Sequence, residues 1–195
     1  MLEDIKRQIC EVMRMLYLKN LITSLAGNIS VRVDNRVLMT PSRKLKFLLE
    51  PNDIVVLDLE TGQIIEGPKP SIEMNMHLEI YRRRPDIKAV VHVHGVLAPV
   101  MWRELLSELD AVKDVEYELL GINICVVERL PPGSIELAYA VATNIEKGCS
   151  VAILDGHGLV AVGRDLAEAI ERVEYVENMF KRALAKTVVK SLRQP

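Results

Sequence analysis

Hydrophobic and polar residues recur along the chain with two different spacings, one typical of helices and the other typical of strands. In the first segment, Ile5, Ile9 and Leu16 recur at helical spacing between charged residues, which predicts an amphipathic helix ending near residues 19–20. From residue 29 the apolar positions alternate, so residues 29–33 and 37–39 are expected to form a hairpin. The same patterns predict strands at residues 54–57, 63–65, 89–93, 122–127, 151–154 and 159–162, and helices at 71–83, 97–109, 134–147 and after Asp165.

The order of these elements indicates the fold class. Helices and strands interleave, but the predicted hairpins exclude a strictly parallel sheet. With 195 residues, the chain is long enough for one sizeable core and too short for two ordinary domains. No internal repeat or low-complexity linker divides it. We expect an α/β fold in which residues 1–195 form a single domain, with a mixed sheet between helical layers.

Composition and charge restrict the partners. The formal net charge is −2 and aromatic residues make up 4%, which argues against a nucleic-acid partner. Charged residues at positions 3–7 stand where a signal peptide has its apolar segment, and the longest uncharged stretch, residues 89–102, is too short to span a bilayer. Three scattered cysteines, Cys10, Cys125 and Cys149, fit a reduced protein better than a disulfide framework. We therefore expect a soluble, cytoplasmic protein that binds no membrane.

Histidines are the first candidates for chemistry. His92 and His94 lie in an apolar predicted strand, where residues i and i+2 point to the same face. His157 lies between two glycines at a predicted turn, where the backbone can bend sharply. Neutral imidazoles suit zinc, and three protein ligands with an open fourth position are typical of a catalytic site. The alternative for each is a hydrogen-bonded core residue, and we interpret His77, in the middle of a predicted helix, as a packing or supporting residue.

Glu73 is the second candidate. It lies in the first turn of the 71–83 helix, after Ser71 as the expected N-cap, where the helix dipole favours a carboxylate. A plain helix-terminus role is therefore one interpretation. The other is a general acid/base, because the order of loop, serine, carboxylate, helix and His-x-His strand can bring Glu73 next to a Lewis acid.

A third set of residues forms a weak candidate cradle for phosphate. Small residues, an amide and hydroxyls occur at residues 27–30 and 40–42 and at Ser71, near predicted helix starts. Each piece alone is also ordinary turn chemistry. The grouping suggests a phosphorylated ligand without identifying it.

Several short motifs together resemble the class II aldolase/adducin family over nearly the whole chain. They are Ala26-Gly27-Asn28-Ile29-Ser30, Thr40-Pro41-Ser42, Lys69-Pro70-Ser71-Ile72-Glu73, Met76-His77, Pro85-Asp86, Ala89-Val90-Val91-His92-Val93-His94 and His157-Gly158-Leu159. The resemblance implies a three-layer α/β/α sandwich with a mixed, largely antiparallel sheet, and a homotetramer with active sites between subunits. It also implies a Zn²⁺ site formed by His92, His94 and His157, with Glu73 as the catalytic acid/base.

The resemblance further implies a reaction. A ketose 1-phosphate similar to L-fuculose 1-phosphate would be cleaved reversibly to dihydroxyacetone phosphate and an aldehyde such as lactaldehyde, with zinc stabilising the enediolate charge and Glu73 exchanging the proton. Tyr117, from the adjoining subunit, would handle the aldehyde oxygen; its alternative is a half-buried aromatic in an amphipathic strand.

Other family members leave the function open. They include sugar-phosphate 4-epimerases, which tend to carry Asp at the position of Glu73, and dehydratases. A different class is the non-enzymatic adducin-like interaction domain, which lacks the complete set of zinc ligands. The three histidines of this chain favour an enzyme.

Two positions depart from the family pattern. Arg43 stands where the phosphate loop commonly has glycine, and Ile72 stands where a second serine often precedes the catalytic carboxylate. The expected phosphate-binding residues are Asn28, Ser42, Arg43 and Ser71. We expect Arg43 to replace the hydroxyl that is lost at Ile72, because guanidinium binds phosphate through parallel hydrogen bonds. The alternative for Arg43 is a solvated residue in the first turn of a short helix over residues 44–49.

Overall fold

The computed structural model of the protein describes residues 1–193. The helices in this part of the chain are α1 (Leu2–Leu18), α2 (Met74–Arg83), α3 (Ala98–Leu105), α4 (Val115–Leu119), α5 (Ile135–Glu146) and α6 (Leu166–Leu192). The strands are β1 (Asn28–Val33), β2 (Arg36–Met39), β3 (Val55–Asp58), β4 (Ile64–Glu66), β5 (Ala89–Val93), β6 (Ile124–Val127), β7 (Val151–Leu154) and β8 (Gly158–Gly163).

All of these strands belong to one sheet in the order β4-β3-β2-β1-β5-β8-β7-β6. β6 and β7 pair in parallel, and the other neighbouring pairs of the described sheet are antiparallel. Antiparallel neighbours can be joined by short turns, whereas the parallel pair needs a crossover, which α5 supplies. The predicted mixed, largely antiparallel sheet is confirmed.

Helices cover both faces of the sheet. α1, α3 and α6 bury one face, with a core that includes Val91 and Phe180. α2 and α5 bury the opposite face, with a core that includes Val90 and Val141. Because successive side chains of a strand point to opposite faces, the central strand β5 contributes to both cores. The three-layer α/β/α arrangement is confirmed, and His92 on β5 lies fully inside it.

Several predicted helix boundaries are wrong. α2 begins at Met74 with Glu73, not Ser71, at its N-cap, because the backbone around Ser71 is held in an extended bridge between Pro41 and Pro70. The predicted 97–109 helix is divided into α3 and a 3-10 helix at Leu106–Val112. Residues 44–49 contain only a 3-10 turn at Lys46–Leu48.

Tyr117 lies in a helix and not in the expected strand. Its helix, α4, starts because the Asp114 side chain accepts hydrogen bonds from the backbone N–H groups of Glu116 and Tyr117. This local cap outweighs the alternating pattern that suggested a strand.

The expectation of fully reduced cysteines is wrong for one pair. Cys125 and Cys149 form a disulfide although 24 residues separate them in the sequence. Pairing of β6 with β7 brings this part of the chain together. The Cα atoms of Cys125 and Cys149 lie 5.9 Å apart, within the usual range for a disulfide. Cys10 is a buried free thiol. Within residues 1–193, no helix combines the length and the apolar character that crossing a bilayer requires.

Candidate metal centre and active site

Three histidines converge at one end of the central strands. His92 lies on β5, His94 follows the end of that strand, and His157 lies in the turn between β7 and β8. One ring nitrogen from each lies within 4.8 Å of those of the other two. The ring centroids are 4.9–5.2 Å apart. The geometry therefore brings together the three side chains predicted to hold a metal.

Glycines allow the turn of His157 to approach β5. A Cβ atom at Gly158 would lie 2.2 Å from the carbonyl oxygen of Val93, which no side chain can accommodate. Gly156 has a φ of +64°, in the left-handed region that glycine favours. Its backbone N–H donates to the Pro99 oxygen at 2.8 Å, so α3 also holds this turn.

The hydrogen bond of His92 occupies one ring nitrogen and leaves the other directed toward Glu73. Its Nδ1 lies 3.0 Å from the carbonyl oxygen of Leu159, which can only accept, so Nδ1 carries the proton. The other ring nitrogen, Nε2, lies 3.2 Å from Glu73 Oε2. His92 Nε2, His157 Nδ1 and Glu73 Oε1 are buried without hydrogen-bond partners. A divalent cation is a suitable partner for three converging imidazole nitrogens beside a carboxylate, so the residues fit a metal ion.

Burial keeps the other two imidazoles available as ligands. Burial, together with the neighbouring His92 and His157, lowers the pKa of His94 to about 4. Burial also lowers the pKa of His157. Both rings are therefore neutral near pH 7, and a neutral imidazole nitrogen is the form that binds zinc.

Glu73 is buried beside this triad. Its side chain is 4% exposed, and its Oε1 lies 3.6 Å from His157 Nε2. Burial raises the pKa of Glu73, but the facing His92 and a hydrogen bond from Asn28 outweigh it and hold the pKa below its usual value. The carboxylate is thus ionised and turned toward the histidines. A plain helix-terminus role does not account for that orientation.

A chain of buried hydrogen bonds supports Glu73 from behind. Asn28 Nδ2 donates to Glu73 Oε2 at 2.7 Å, so Asn28 Oδ1 accepts from His77 Nε2 at 2.6 Å. His77 Nδ1 then accepts from Ser30 Oγ at 2.7 Å, and Tyr81 Oη lies 2.8 Å from that same oxygen. Antiparallel pairing of β1 with β5 places Asn28 directly opposite His92, and therefore beside Glu73. The interpretation of His77 as a packing or supporting residue is consistent with its position in this series of hydrogen bonds.

The pH dependence of stability is expected to report on buried His77. Burial lowers the pKa of His77 from 6.5 to about 3, so the unfolded chain binds a proton that the folded chain excludes between these values. The contribution of neutral His77 to the free energy of unfolding is complete above pH 6.5 and is lost as the pH falls. In metal-free protein, urea unfolding at pH 7 and pH 5 is expected to show a loss of free energy about 2 kcal/mol larger for wild type than for His77→Gln. Equal losses would contradict this assignment.

An open cavity of about 400 Å³ leads to the metal centre. Seven of the predicted site residues line it: Asn28, Ser42, Arg43, Ser71, Glu73, His94 and His157. His92 lies beneath it and is fully buried. Tyr117 does not line it within this chain; its ring lies 6.4 Å from that of Tyr175 and 4.4 Å from Lys113 Nζ.

The two departures from the family pattern also line the cavity. Arg43 has a φ of +56°, a left-handed conformation that explains why glycine suits this position. The short predicted helix that would have made Arg43 a first-turn residue is absent there. Ile72 is exposed on the rim.

Sequence reasoning missed two buried charged residues around the site, Lys46 and Glu177, and the half-buried Asp155. Lys46 lines the cavity. Glu177 on α6 accepts a hydrogen bond from Val96 N at 2.8 Å and so holds the loop that follows His94. Asp155 precedes the turn of His157 and accepts from Trp102 Nε1 at 2.8 Å. No spacing in the sequence links Lys46 or Glu177 to the histidines, because the links are made by packing of distant elements.

Comparisons with known proteins identify relatives of the whole chain. An L-fuculose phosphate aldolase of Methanocaldococcus jannaschii is 33% identical over 185 residues, covering 95% of this chain and 98% of that protein. The crystal structure of a sugar-phosphate aldolase from Thermotoga maritima has 29% identity and a TM-score of 0.85, and the match covers 98% of this chain and 97% of that one.

Relatives with other activities are also similar. A 3-oxo-tetronate 4-phosphate decarboxylase of Haemophilus influenzae is 34% identical over 80% of this chain and 75% of that protein. A methylthioribulose-1-phosphate dehydratase of Pseudomonas syringae is 29% identical over 92% of this chain and 93% of that protein. The relatives are thus enzymes that act on different phosphorylated compounds.

The family comparison covers most of the chain. The sequence model named class II aldolase and adducin N-terminal domain matches residues 7–184. This range includes every strand of the sheet, the three histidines and Glu73. The chain therefore belongs to the class II aldolase and adducin N-terminal domain family.

Proposed function

We propose that this protein is a Zn²⁺-dependent aldolase that reversibly cleaves a ketose 1-phosphate to dihydroxyacetone phosphate and an aldehyde. The observation that carries the proposal is the buried, ionised Glu73 beside three clustered histidines at an open cavity. The L-fuculose phosphate aldolase relative supports a substrate similar to L-fuculose 1-phosphate, with lactaldehyde as the aldehyde product.

His92, His94 and His157 would hold the metal. A zinc ion bound there would act as a Lewis acid that polarises a substrate carbonyl. The unpartnered Oε1 of Glu73 is free to exchange a proton, while Asn28 holds Oε2 in place. In cleavage, the C3–C4 bond of the ketose would break, the ionised Glu73 carboxylate would take up the proton lost by the C4 hydroxyl, and Glu73 would then give that proton to C3.

The phosphate group is assigned to the part of the cavity that Ser42, Arg43 and Ser71 line. The backbone N–H of Ser42 donates to the Lys69 oxygen at 3.0 Å, and that of Ser71 donates to the Thr40 oxygen at 3.2 Å. These amides are therefore already used in holding the two loops together. Recognition falls to side chains: the hydroxyls of Ser42 and Ser71, the guanidinium of Arg43, and the one Nδ2 hydrogen of Asn28 that Glu73 does not use.

Arg43→Ala is expected to lower kcat/KM for a phosphorylated ketose by roughly tenfold to a hundredfold, because a charge-assisted contact to phosphate is lost. Metal content is expected to stay unchanged, since no ligand is touched. Lys44→Ala is the matched control, because Lys44 is the next residue and pairs with Asp53 instead. A ratio of phosphorylated to unphosphorylated ketose cleavage that is the same in wild type and Arg43→Ala would exclude this role.

We extend the proposal to a cytoplasmic homotetramer in which Tyr117 of an adjoining copy handles the aldehyde oxygen. Val115 and Leu119, on the same helix as Tyr117, are exposed apolar side chains that an adjoining copy could bury. Sedimentation equilibrium tests the subunit number, and a mass of one chain in solution would contradict it.

Decarboxylation is the second candidate reaction, favoured by the relative that acts on a 3-oxo-tetronate 4-phosphate. Dehydration and 4-epimerisation of sugar phosphates are further alternatives, and a non-enzymatic interaction domain would need no complete histidine triad. A panel assay tests them: metal-loaded protein is incubated separately with L-fuculose 1-phosphate, 3-oxo-tetronate 4-phosphate and methylthioribulose 1-phosphate. We expect dihydroxyacetone phosphate and lactaldehyde from the first compound. Turnover of only another compound would replace the proposed reaction, and no turnover with any would favour the non-enzymatic class.

A further inference from the structure

Lys46 is a buried cation in the wall of the cavity. It begins the 3-10 turn Lys46–Leu48, and its backbone N–H donates to the Ser24 oxygen at 2.8 Å. The side chain is 1% exposed. Its Nζ donates to the Pro41 oxygen at 2.7 Å, and the residue lines the same cavity as Arg43 and Ser42.

The charge of Lys46 lacks a counter-charge in the described part of the chain. Its one side-chain partner there is a backbone carbonyl, and an ammonium group has three donors. Lys6, the other buried lysine, shows the usual solution: its Nζ lies 2.6 Å from Glu66 and 3.0 Å from Glu3. Hydrogen bonding to Glu66 raises the pKa of Lys6, whereas burial lowers the pKa of Lys46 to about 8.

A buried, unpaired charge is costly unless something compensates it. The carboxylates that neutralise Lys6 have no equivalent at Lys46, and the open side of Lys46 is the cavity. Pairing of the loops at Pro41 and Pro70 places Ser42 and Ser71 beside the same space. The arrangement suits an anion that accepts several hydrogen bonds, as a phosphoryl group does.

We propose that Lys46 is the buried counter-charge for the phosphoryl group of the ligand and makes the cavity selective for phosphorylated over neutral compounds. This inference deepens the proposed function, because it names the residue that selects the substrate class. Arg43 is exposed and lies at the rim, so its contact is screened by water. Lys46 supplies the contact that solvent does not screen.

A structural role for Lys46 has different consequences. If its hydrogen bond to Pro41 merely held the loop, Lys46→Gln would restore that role, because a glutamine amide can donate to a carbonyl oxygen. If the charge is what matters, neither Lys46→Gln nor Lys46→Met binds phosphate normally. Both variants are then expected to be at least as stable as wild type without phosphate, since an uncompensated charge is removed.

The test uses the full-length, metal-loaded protein and inorganic phosphate as the probe. Isothermal titration with phosphate, against chloride at equal ionic strength, is run on wild type, Lys46→Met, Lys46→Gln and the control Lys44→Met. We expect Lys44→Met to bind as wild type does, and both Lys46 variants to bind roughly tenfold to a hundredfold more weakly. Thermal unfolding without phosphate is measured on the same samples.

Retention of phosphate affinity by either Lys46 variant would overturn the inference, as would failure of both variants to fold. Weakened affinity with undiminished stability supports it. The outcome is independent of turnover. A wild-type protein that binds phosphate through Lys46 but cleaves no ketose phosphate would contradict the proposed function and leave this inference standing.

Discussion

Glu73→Gln is expected to lower kcat for ketose 1-phosphate cleavage by roughly 10²–10⁴-fold, the usual contribution of a general acid/base. Glutamine keeps the shape of the side chain, and its carbonyl oxygen can still accept the hydrogen bond from Asn28 Nδ2. It cannot exchange the proton that the reaction moves. The measurement is steady-state release of dihydroxyacetone phosphate by the purified variant, with its metal content determined on the same sample.

Glu79→Gln is the matched control for this variant. Glu79 lies on the same helix as Glu73 but pairs with Arg82 and Arg83. Its replacement is expected to leave both rate and metal content unchanged. A Glu73→Gln protein with a near-normal rate and intact metal would show that Glu73 is only a helix-terminus residue.

His94→Ala is expected to lose nearly all bound metal. The triad supplies three protein ligands, so removing one leaves two, and the cost should exceed the roughly 10–100-fold loss that follows removal of an outer hydrogen-bond partner. Metal per chain is measured by elemental analysis after dialysis against metal-free buffer. We expect about one zinc per chain in wild type and close to none in the variant.

His77→Gln provides the matched control among the histidines. The His77 ring bonds Ser30 and Asn28 and faces away from the triad, so this variant is expected to keep its metal. A His94→Ala protein that retained stoichiometric metal would place the metal elsewhere. If His77→Gln lost its metal while His94→Ala kept it, the metal would likewise lie outside the triad.

The main features of the fold could be predicted from local patterns. Alternation at residues 29–33 and helical spacing in α1 are properties of neighbouring residues, and the structure has both elements. The pairing of His92 with His94 follows from the period of a strand. Gly156 and Gly158 predicted the turn at His157, because a sharp turn and a close approach of two backbones both need glycine.

Features that depend on distant contacts could not be predicted in this way. The disulfide of Cys125 with Cys149 exists because β6 and β7 pair in parallel. The hydrogen bond from Asn28 to Glu73 requires β1, β5 and α2 to be in place. Lys46 looks like a surface residue in its polar sequence context, and only the folded loop buries it.

Dependence of dihydroxyacetone phosphate release on bound zinc tests the proposed function most directly. Chelated, metal-free protein is titrated with zinc, and the initial rate of cleavage of L-fuculose 1-phosphate is followed at each step. We expect no cleavage without metal, a rate that rises in proportion to zinc, and a plateau at about one zinc per chain, because the three histidines form one site. A rate that is unaffected by zinc, or zinc binding at that stoichiometry without release of dihydroxyacetone phosphate, would contradict the assignment of this protein as a metal-dependent aldolase.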